Sequence, residues 1–497
     1  MVTYRHPGVF IEEVGFKAQA QQGVSMAVTG FMGLAKRGKP GEPTLVTSWP
    51  DYRRKFAHGL ESAFQEDAYL PYSLFGYFDN GGSLAYVIRI TDGDEETSTI
   101  TLDDGETEAT DVVKIDALDP GDWGNNIEVE FIYGKTTRQY IKDGVTKGSS
   151  ATDGWSMIVY YNDTVIEVYD DISFVSTDDN FLEEETQNSR YIETEVLSTE
   201  ELDSDVEGTK QSLTGGTDGG APDKDDFSNA LENWDEVEEL GQLVIPDMQH
   251  EDTIEAALEY CENERGDLFL LADGAEDADI AAIQLFRDNF DSDYGSLYYP
   301  WIEIRDPLGG TKFVPVGGHQ AGATARTDKN RGVYKAPAGI AVKIIGALNT
   351  KIEITDDIQA DLNPGDINCV RAKTNSGIVT WGARTLAGGY VNQRRGLNYI
   401  KRYLKLNTKW VVFEPHTEEL WNDISTFIED FLIGEANKGG FKGTTPEQQY
   451  FIVCDDSINN TNSNEIYAEI GVAIAEPGEF FVIRVGQWDS GSSAIEL

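Results

Sequence analysis

The sequence predicts a multi-domain α/β protein of the α+β type. It has an α/β core with a mixed sheet, a β-rich inserted outer domain, a C-terminal α/β domain and an extended strand arm at each end. Three observations support this fold class. Strand-like and helix-like segments alternate over residues 24–91 and 213–362. Apolar and polar side chains alternate in short runs over residues 92–212. Isolated strand-like segments stand near both ends, in a chain whose 497 residues suffice for several domains.

The first strand-like segment has no partner nearby in the sequence. Pro7 and Gly8 form a turn signal, and the stretch from Val9 to Val14 contains Val, Phe and Ile, which favour extended structure. A strand this short is not stable alone in water, and no hairpin partner follows closely. We therefore expect residues 1–23 to be an arm that pairs with something distant.

Residues 24–91 are predicted to form the first part of the core domain. MAVTGFMGLA has the pattern of a buried strand that runs into glycine turns, and SLAYVIRI has the apolar density of a central strand. Between them, WPDYRRKFAHG predicts a short helix closed by Gly59.

The next segment, residues 92–212, differs in charge. It holds 32 acidic and 7 basic residues, which is about half of the formal net charge of −49 in about a quarter of the chain. Runs such as IEVEFIY and WSMIVYYNDTVIEVY indicate strands with one wet face. We expect an inserted domain that faces outward.

Residues 213–362 are predicted to be the second part of the core. The glycines of LTGGTDGGAPDKDD suggest a phosphate loop, but the GK[ST] motif is missing, so a flexible junction is favoured. Helices and strands then alternate as far as SLYYPWIEI, which indicates a largely parallel sheet.

The C-terminal inner domain, residues 363–478, begins with a stretch that is basic, unlike the acidic segments before it. No acidic residue occurs between Asp366 and Glu414. At about 100° per residue, RRGLNYIKRYLK places its Leu and Ile residues on one stripe and its Arg and Lys residues on a neighbouring sector. These cations either pair with carboxylates of the same subunit or dock on an acidic partner. The following helix, TEELWNDISTFIEDFLIGEANKGG, has an apolar face typical of a core helix. The stretch from Phe480 to Val485 predicts a second arm strand within residues 479–497.

Composition excludes several classes of protein. The chain has no apolar span of about 18 residues and no signal-peptide pattern, so we expect no membrane insertion. Three scattered cysteines argue against a disulfide framework or a zinc site. An excess of 88 acidic over 39 basic residues argues against direct nucleic-acid binding and favours a salt-rich cytoplasm, as in halophilic archaea.

Nine motifs occur in order along the chain: YRHPGVFIEEV, GGTDGGAPDKDDFSNAL, YYPWIEIRDPLGG, GHQAGATARTDKNRGVYKAPAG, INCVR, WGARTL, YVNQRRGLNYI, WVVFEP and EIGVAIAEPGEFFVIRVGQ. Through them the sequence resembles, at residues 4–16, 24–90 and 211–488, the contractile tail sheath proteins of myovirus tails and contractile injection systems.

The resemblance implies a subunit of a helical sheath of stacked rings around an inner tube. It implies that terminal arms add strands to the C-terminal domains of neighbouring copies, and that this domain attaches to the tube. The implied arm residues are Gly8, Val9, Phe10, Ile11, Val14, Phe480, Phe481, Val482, Ile483 and Val485. The residues expected at the tube are Arg394, Arg395, Lys401, Arg402 and Lys405.

The partners implied are further copies of the chain, the inner tube protein, and baseplate and terminator or cap proteins. The expected location is a virion tail, or a contractile particle that is assembled in the cytoplasm with or without later release from the cell. The resemblance implies that contraction drives the tube through a target envelope. No catalytic, cofactor-binding or metal-binding residue is expected.

Two other classes of protein stay open. A halophilic α/β enzyme would need a site, but the five histidines show no metal spacing, and no GxSxG or Walker pattern occurs. His319, with Arg326 and Asp328 in a glycine-rich loop, is expected to be a turn or interface residue. A static surface lattice would need a secretion signal and would not need arms.

Overall fold

The protein is described here from a computed structural model, which covers residues 22–57, 62–133, 139–142, 145–148 and 154–479. All ten residues predicted for the strand arms lie outside the described residues, and so does Gly59.

The core is a mixed eight-stranded sheet, as predicted. Its six inner strands are parallel, and each outer strand runs antiparallel to its neighbour. In spatial order the strands are Thr44–Val46, Ala85–Arg89, Thr29–Gly33, Gln242–Val244, Leu270–Asp273, Gly295–Tyr299, Ile367–Lys373 and Gly377–Thr380.

Both faces of this sheet are covered. Successive side chains of a strand point to opposite faces, so Phe31 packs into one hydrophobic cluster and Met32 into the other. The covering helices start where the sequence offers caps, as at Ser48 and at Asp223, which forms a capping box. The helices are Trp49–Phe56, Leu70–Asp79, Lys224–Asn229, Glu251–Glu259, Ile280–Arg287, Gly317–Arg331 and Asp356–Leu362.

Smaller elements complete this body. An antiparallel sheet of three strands lies beside the core, and short 3₁₀ or π turns extend several helices. The strands are Ile302–Arg305, Thr311–Val314 and Ala347–Thr350. The turns are Ala230–Glu236, Tyr260–Arg265 and Asn363–Gly365.

The acidic segment folds into β-structure with its own hydrophobic cluster. Its four-stranded sheet consists of Thr164–Ile172, Trp155–Tyr161, Ile127–Tyr133 and Lys210–Ser212. Its three-stranded sheet consists of Ile192–Val196, Asp111–Ala117 and Thr99–Asp103. The hairpin Gln139–Lys142 with Val145–Gly148, the 3₁₀ turn Asp122–Asn126 and the helix Leu182–Thr186 complete it.

Two buried arginines tie the acidic segment to the body. Arg37 forms an ion pair with Asp119 at 3.0 Å, and Arg89 forms one with Asp218 at 3.3 Å. Asp119 follows the strand Asp111–Ala117 of the acidic segment, and Asp218 follows its last strand, Lys210–Ser212.

The C-terminal part has a separate hydrophobic cluster. Tyr403 and Phe431 stack in it with ring centroids 3.8 Å apart. Its elements are the helices Val391–Asn407, Glu418–Asn437 and Pro446–Gln449, the 3₁₀ turn Lys409–Val411, and the strands Tyr450–Val453 and Glu469–Val472.

Strands on both sides of the predicted boundary at residues 362–363 belong to one sheet. Ile367–Lys373 pairs in parallel with Gly295–Tyr299, and Gly377–Thr380 extends the sheet beyond it. The sheet of the body therefore continues to Thr380.

Candidate assembly interface

The helix Val391–Asn407, which we call the basic helix, packs on two sides. Leu397, Ile400 and Leu404 contribute to the C-terminal cluster, as the predicted apolar stripe requires. A Cβ added to Gly396 would lie 2.9 Å from the Tyr334 ring, so this glycine permits a close contact with Tyr334. The flanking sector of the helix faces the body.

Two of the predicted tube residues are buried in that second contact. Arg395 is fully buried, binds Asp328 at 2.5 Å and donates to the carbonyl oxygen of Met26 at 2.9 Å. Arg402 is buried, binds Asp267 at 2.8 Å and donates to the backbone oxygens of Ser25, Glu239, Leu240 and Asp267.

The structure therefore corrects the sequence analysis, which grouped Arg395 and Arg402 with residues on an exposed sector. A helix that packs on two sides also buries the sector beside its apolar stripe. Both guanidinium groups are neutralised inside the chain, which is the alternative in which these cations pair with carboxylates of the same subunit.

The other three predicted residues lie nearer the surface. Arg394 approaches Asp293 at 3.6 Å, and its guanidinium stacks 4.3 Å from the centroid of the Tyr294 ring. Lys401 donates to the hydroxyl of Tyr294 at 2.9 Å. Lys405 is exposed, and no hydrogen bond or ion pair joins it to another described residue.

Lys405 and Lys409 line one groove of about 460 Å³ beside the point where the described chain begins. Lys409 is also exposed and has no charged partner within the described part of the chain. One wall of the groove consists of Gln22, Gly23, Val24 and Ser25. The carboxylates of Glu238, Glu239 and Asp267 also line the groove.

The basic helix also holds the segments that lead to both termini. At its C-terminal end, Asn407 accepts a hydrogen bond from the backbone N–H of Gln22 at 2.9 Å and donates to its carbonyl oxygen at 3.2 Å. At its N-terminal end, Asn392 donates to the carbonyl oxygen of Ala475 at 2.9 Å, and Gln393 donates to that of Ile474 at 3.1 Å.

An arginine just before the basic helix fixes the last described residue. Arg384 binds both carboxylate oxygens of Glu479, at 2.6 and 3.1 Å, and reaches Asp366 at 3.3 Å. This two-pronged contact is geometrically specific. Sequence analysis missed these contacts of Asn392, Gln393 and Asn407, because an amide on a helix carries no signal of its partner.

The two C-terminal strands form a sheet with open edges. Tyr450 pairs with Val472 and Val453 with Glu469, and no third strand joins them among the described residues. Ala473 donates to the carbonyl oxygen of Gln449 at 2.8 Å, so the alternation of an antiparallel ladder turns the N–H and C=O groups of Ile452 outward.

One face of this sheet packs on the cluster, and the other faces solvent. Tyr450, Ile452, Ile470 and Val472 contact the cluster. On the other face Phe451 is 57% exposed. Its ring lies over Gly471, where an added Cβ would come within 2.0 Å of it. Open edges beside an exposed aromatic side chain are a template for strand addition.

The glycine-rich stretch around His319 forms a helix and not a loop. The predicted glycine-rich loop is the helix Gly317–Arg331, because Gly318 and Gly322 allow it to pack against Leu70–Asp79. An added Cβ on Gly322 would lie 2.3 Å from the carbonyl oxygen of Tyr77.

His319 itself is a core residue, not the turn or interface residue expected. Burial lowers its pKa to about 4, so it stays neutral near pH 7. Arg326 donates to backbone oxygens of Asn80 and Lys343, and Asp328 binds Arg395. The three side chains serve separate structural contacts.

Other candidate sites are sparse in the part of the chain that the structure describes. No group of His, Cys, Asp and Glu there could hold a metal ion. Cys261, Cys369 and Cys454 are free and buried. None of the described helices is long and apolar enough to cross a membrane.

The architecture is that of contractile sheath proteins. The sheath of the extracellular contractile injection system PVC in its contracted state is similar with a TM-score of 0.58 at 21% identity, over 98% of this chain and 99% of that one. The helical sheath of the anti-feeding prophage in its contracted state gives a TM-score of 0.59 at 21% identity, over 98% of this chain and 100% of that one.

A sheath tail protein from Listeria innocua has the same fold, with a TM-score of 0.62 at 14% identity over 91% of this chain and 96% of that one. Residues 220–386 match the family described as phage tail sheath protein central domain. No curated protein matches the chain. The resemblance to contractile tail sheath proteins that the motifs indicated is confirmed.

Proposed function

We propose that this chain is a non-enzymatic subunit of a contractile sheath, in which copies stack as rings around an inner tube. The observation that carries the proposal is the similarity of fold to sheath subunits along nearly the whole chain. Contraction then drives the tube through a target envelope. Baseplate and terminator or cap proteins are the further partners, in a virion tail or a phage-tail-like particle.

Neighbouring copies are joined by strand exchange. The donated strands are Gly8 to Val14 and Phe480 to Val485, and the acceptor is the open two-stranded sheet of another copy. Two strands of four residues each are marginal alone, and added strands supply main-chain hydrogen bonds. Such bonds hold the copies together while the bodies that they link rotate.

The contacts of the basic helix support this exchange. Its hydrogen bonds to Gln22, Ile474 and Ala475 fix the places where the two arms leave the subunit. Arg395 and Arg402, which bind the carbonyl oxygens of Met26 and Ser25, are therefore positioning residues for the arm and not contacts to the tube.

The tube contact falls to the exposed cations of the same segment. We assign it to Lys405, with Lys409 beside it and with Arg394 and Lys401 as flanking charges. Exposed charge pairs are weak individually and are screened by salt, so such contacts can hold the extended sheath and release it.

The proposed domain division follows the sheets. Residues 24–91 and 213–380 form the body, residues 92–212 form the acidic outer domain, and the C-terminal inner domain begins at the basic helix. The outer domain holds half of the net negative charge, which suits high salt, where charge repulsion is screened. A salt-rich cytoplasm is therefore part of the proposal.

Deletion of residues 1–16 tests strand exchange. We expect a monomer with an unchanged melting temperature that no longer forms rings or tubes by electron microscopy in about 3 M KCl, a salt at which charge is fully screened. Deletion of residues 489–497, which removes a terminus but neither strand, is the control and should assemble. Normal sheaths from the first deletion would contradict strand exchange.

A static lattice or an enzyme would behave differently. Neither needs an inner tube, whereas a sheath subunit binds one. Genes for a tube protein, baseplate proteins and an ATPase beside this one would favour the sheath.

A further inference from the structure

The turn that follows the basic helix presents an apolar pair to solvent. Phe413 is fully exposed and is the most exposed large apolar side chain of the described residues. Leu285, the next, is 71% exposed, and Val412 beside Phe413 is 63% exposed. Two adjacent apolar side chains in this state are a candidate contact surface.

The turn is held in place and is not a loose loop. Val411 donates to the carbonyl oxygen of Thr408 at 3.0 Å, and Glu414 donates to that of Val411 at 3.2 Å. Trp410 and Val411 pack against the C-terminal cluster, where the Trp410 and Phe427 rings lie 6.3 Å apart.

The backbone of Phe413 lies in the left-handed region, at φ +72°. A bulky side chain disfavours this conformation, and no described contact of the exposed ring offsets the strain. The neighbouring anchors fix the ring in an outward position, so it is preorganised for a partner.

Exposed cations precede the turn, and one exposed carboxylate, Glu414, follows Phe413. Lys405 and Lys409 are exposed on the same segment without charged partners among the described residues. Glu238 and Glu239 share their groove, but Glu239 already accepts a hydrogen bond from Tyr86 at 2.6 Å. A complementary surface would carry carboxylates around an apolar depression.

We infer that Phe413 is the apolar anchor of the tube contact. Its ring inserts into an apolar pocket of the inner tube, and Lys405 and Lys409 meet carboxylates on the rim of that pocket. Aromatic side chains at the centre of a contact commonly dominate its affinity, whereas rim charges set its orientation and salt dependence. This inference rests on the proposed function and names the residue that would supply most of the tube affinity.

The test uses Phe413→Gly, which removes the ring and suits a positive φ, so the variant should melt at or above the temperature of the parent chain. The probe is a candidate inner tube protein from the genome that encodes this chain, assembled into tubes. We expect Phe413→Gly to weaken cosedimentation with tubes at least tenfold, while rings still form without tubes. Leu285→Ala, at the next most exposed position, is the matched control and should bind normally.

A second variant separates the inference from the proposed function. Lys405→Glu with Lys409→Glu should weaken tube binding in a salt-dependent way, and Lys329→Glu with Arg331→Glu is its control of equal charge. If the double lysine variant loses tube binding but Phe413→Gly retains it, Phe413 is not the anchor. The proposed attachment of this segment to the tube is then still supported.

Two other results would also overturn the inference. If Phe413→Gly abolishes the formation of sheath rings but not tube binding, the Phe413 side chain contacts a second copy of this chain and not the tube. If the parent chain neither forms rings nor binds tubes, the proposed function itself is wrong, and the inference falls with it.

Discussion

The central sheet and the C-terminal sheet differ in how complete they are. Six of the eight central strands are parallel and have partners on both sides, and helices cover both faces. The C-terminal sheet has two strands of four residues, open edges and an exposed Phe451. The stability of the single subunit therefore comes mainly from the first sheet, while the second leaves its edges open to the strand addition that we propose.

The largest effect on subunit stability is expected from a cavity in the central core. Phe31→Ala removes a fully buried ring that lies 5.4 Å from the Tyr77 ring. We expect the free energy of unfolding to fall by about 3–5 kcal/mol, because a cavity is left in a packed core. Denaturant unfolding of the monomer measures it.

Phe451→Ala is the matched change in the C-terminal sheet. Because the Phe451 ring is half exposed, the free energy of unfolding should fall by less than about 1 kcal/mol. The formation of rings should nevertheless decrease. Equal losses of unfolding free energy in Phe31→Ala and Phe451→Ala would contradict this difference between the two sheets.

The central sheet also contains a buried carboxyl group that makes its stability depend on pH. Asp273 in the central sheet is buried and accepts hydrogen bonds from the N–H groups of Val316 and Gly317, and burial raises its pKa to about 7. The unfolded chain releases this proton near pH 4, so the stability that it contributes is present at low pH and is lost as pH rises towards 7.

Asp273→Asn should remove that slope, which for one proton is at most about 1.4 kcal/mol per pH unit. Chemical denaturation of parent and variant at pH 4.5 to 7.5 measures the difference. Asp225→Asn, on an exposed helix end, is the control. Parallel pH profiles for the parent and Asp273→Asn would show that the group does not titrate there.

The open edge can be probed at a single amide. Ile452→Pro removes an outward N–H, whereas Ile452→Ala loses apolar contacts but keeps that N–H. Both should cost the monomer about 1–2 kcal/mol from lost packing, and only the proline variant should block ring formation by electron microscopy.

The other edge is tested in the same way with Ile470→Pro and Ile470→Ala. Normal rings from both proline variants would mean that neither edge accepts a strand.

The last expected effect is local and lies at the root of the N-terminal arm. Asn407→Ala removes two hydrogen bonds to the backbone of Gln22, worth about 0.5–1.5 kcal/mol each at most. Hydrogen exchange of the Gln22 amide should become several-fold faster, and Asn422→Ala on the exposed face of its helix should leave it unchanged. An unaltered exchange rate would remove Asn407 from the positioning role.

Much of the core could be predicted from the sequence, because its local signals agree with the packing. The alternation that sends Phe31 and Met32 to opposite faces produces the dense apolar runs of a doubly covered sheet. The helical period likewise predicted Leu397, Ile400 and Leu404 as one stripe.

The rest depends on contacts between distant segments. Gly318 and Gly322 suggested a loop because glycine disfavours helices, yet close packing against another helix overrides that preference. Arg395 and Arg402 suggested a surface because their partners, Asp328 and Asp267, are far away in the sequence. The strand Tyr450–Val453 was missed because it is short.

A cryo-electron microscopy map of the assembled chain tests the central claim most directly. We predict that the sheet of Tyr450–Val453 and Glu469–Val472 gains strands whose density traces to residues 8–14 and 480–485 of neighbouring copies. A sheet that stays two-stranded in the assembly, with both arms folded back on their own subunit, would contradict it.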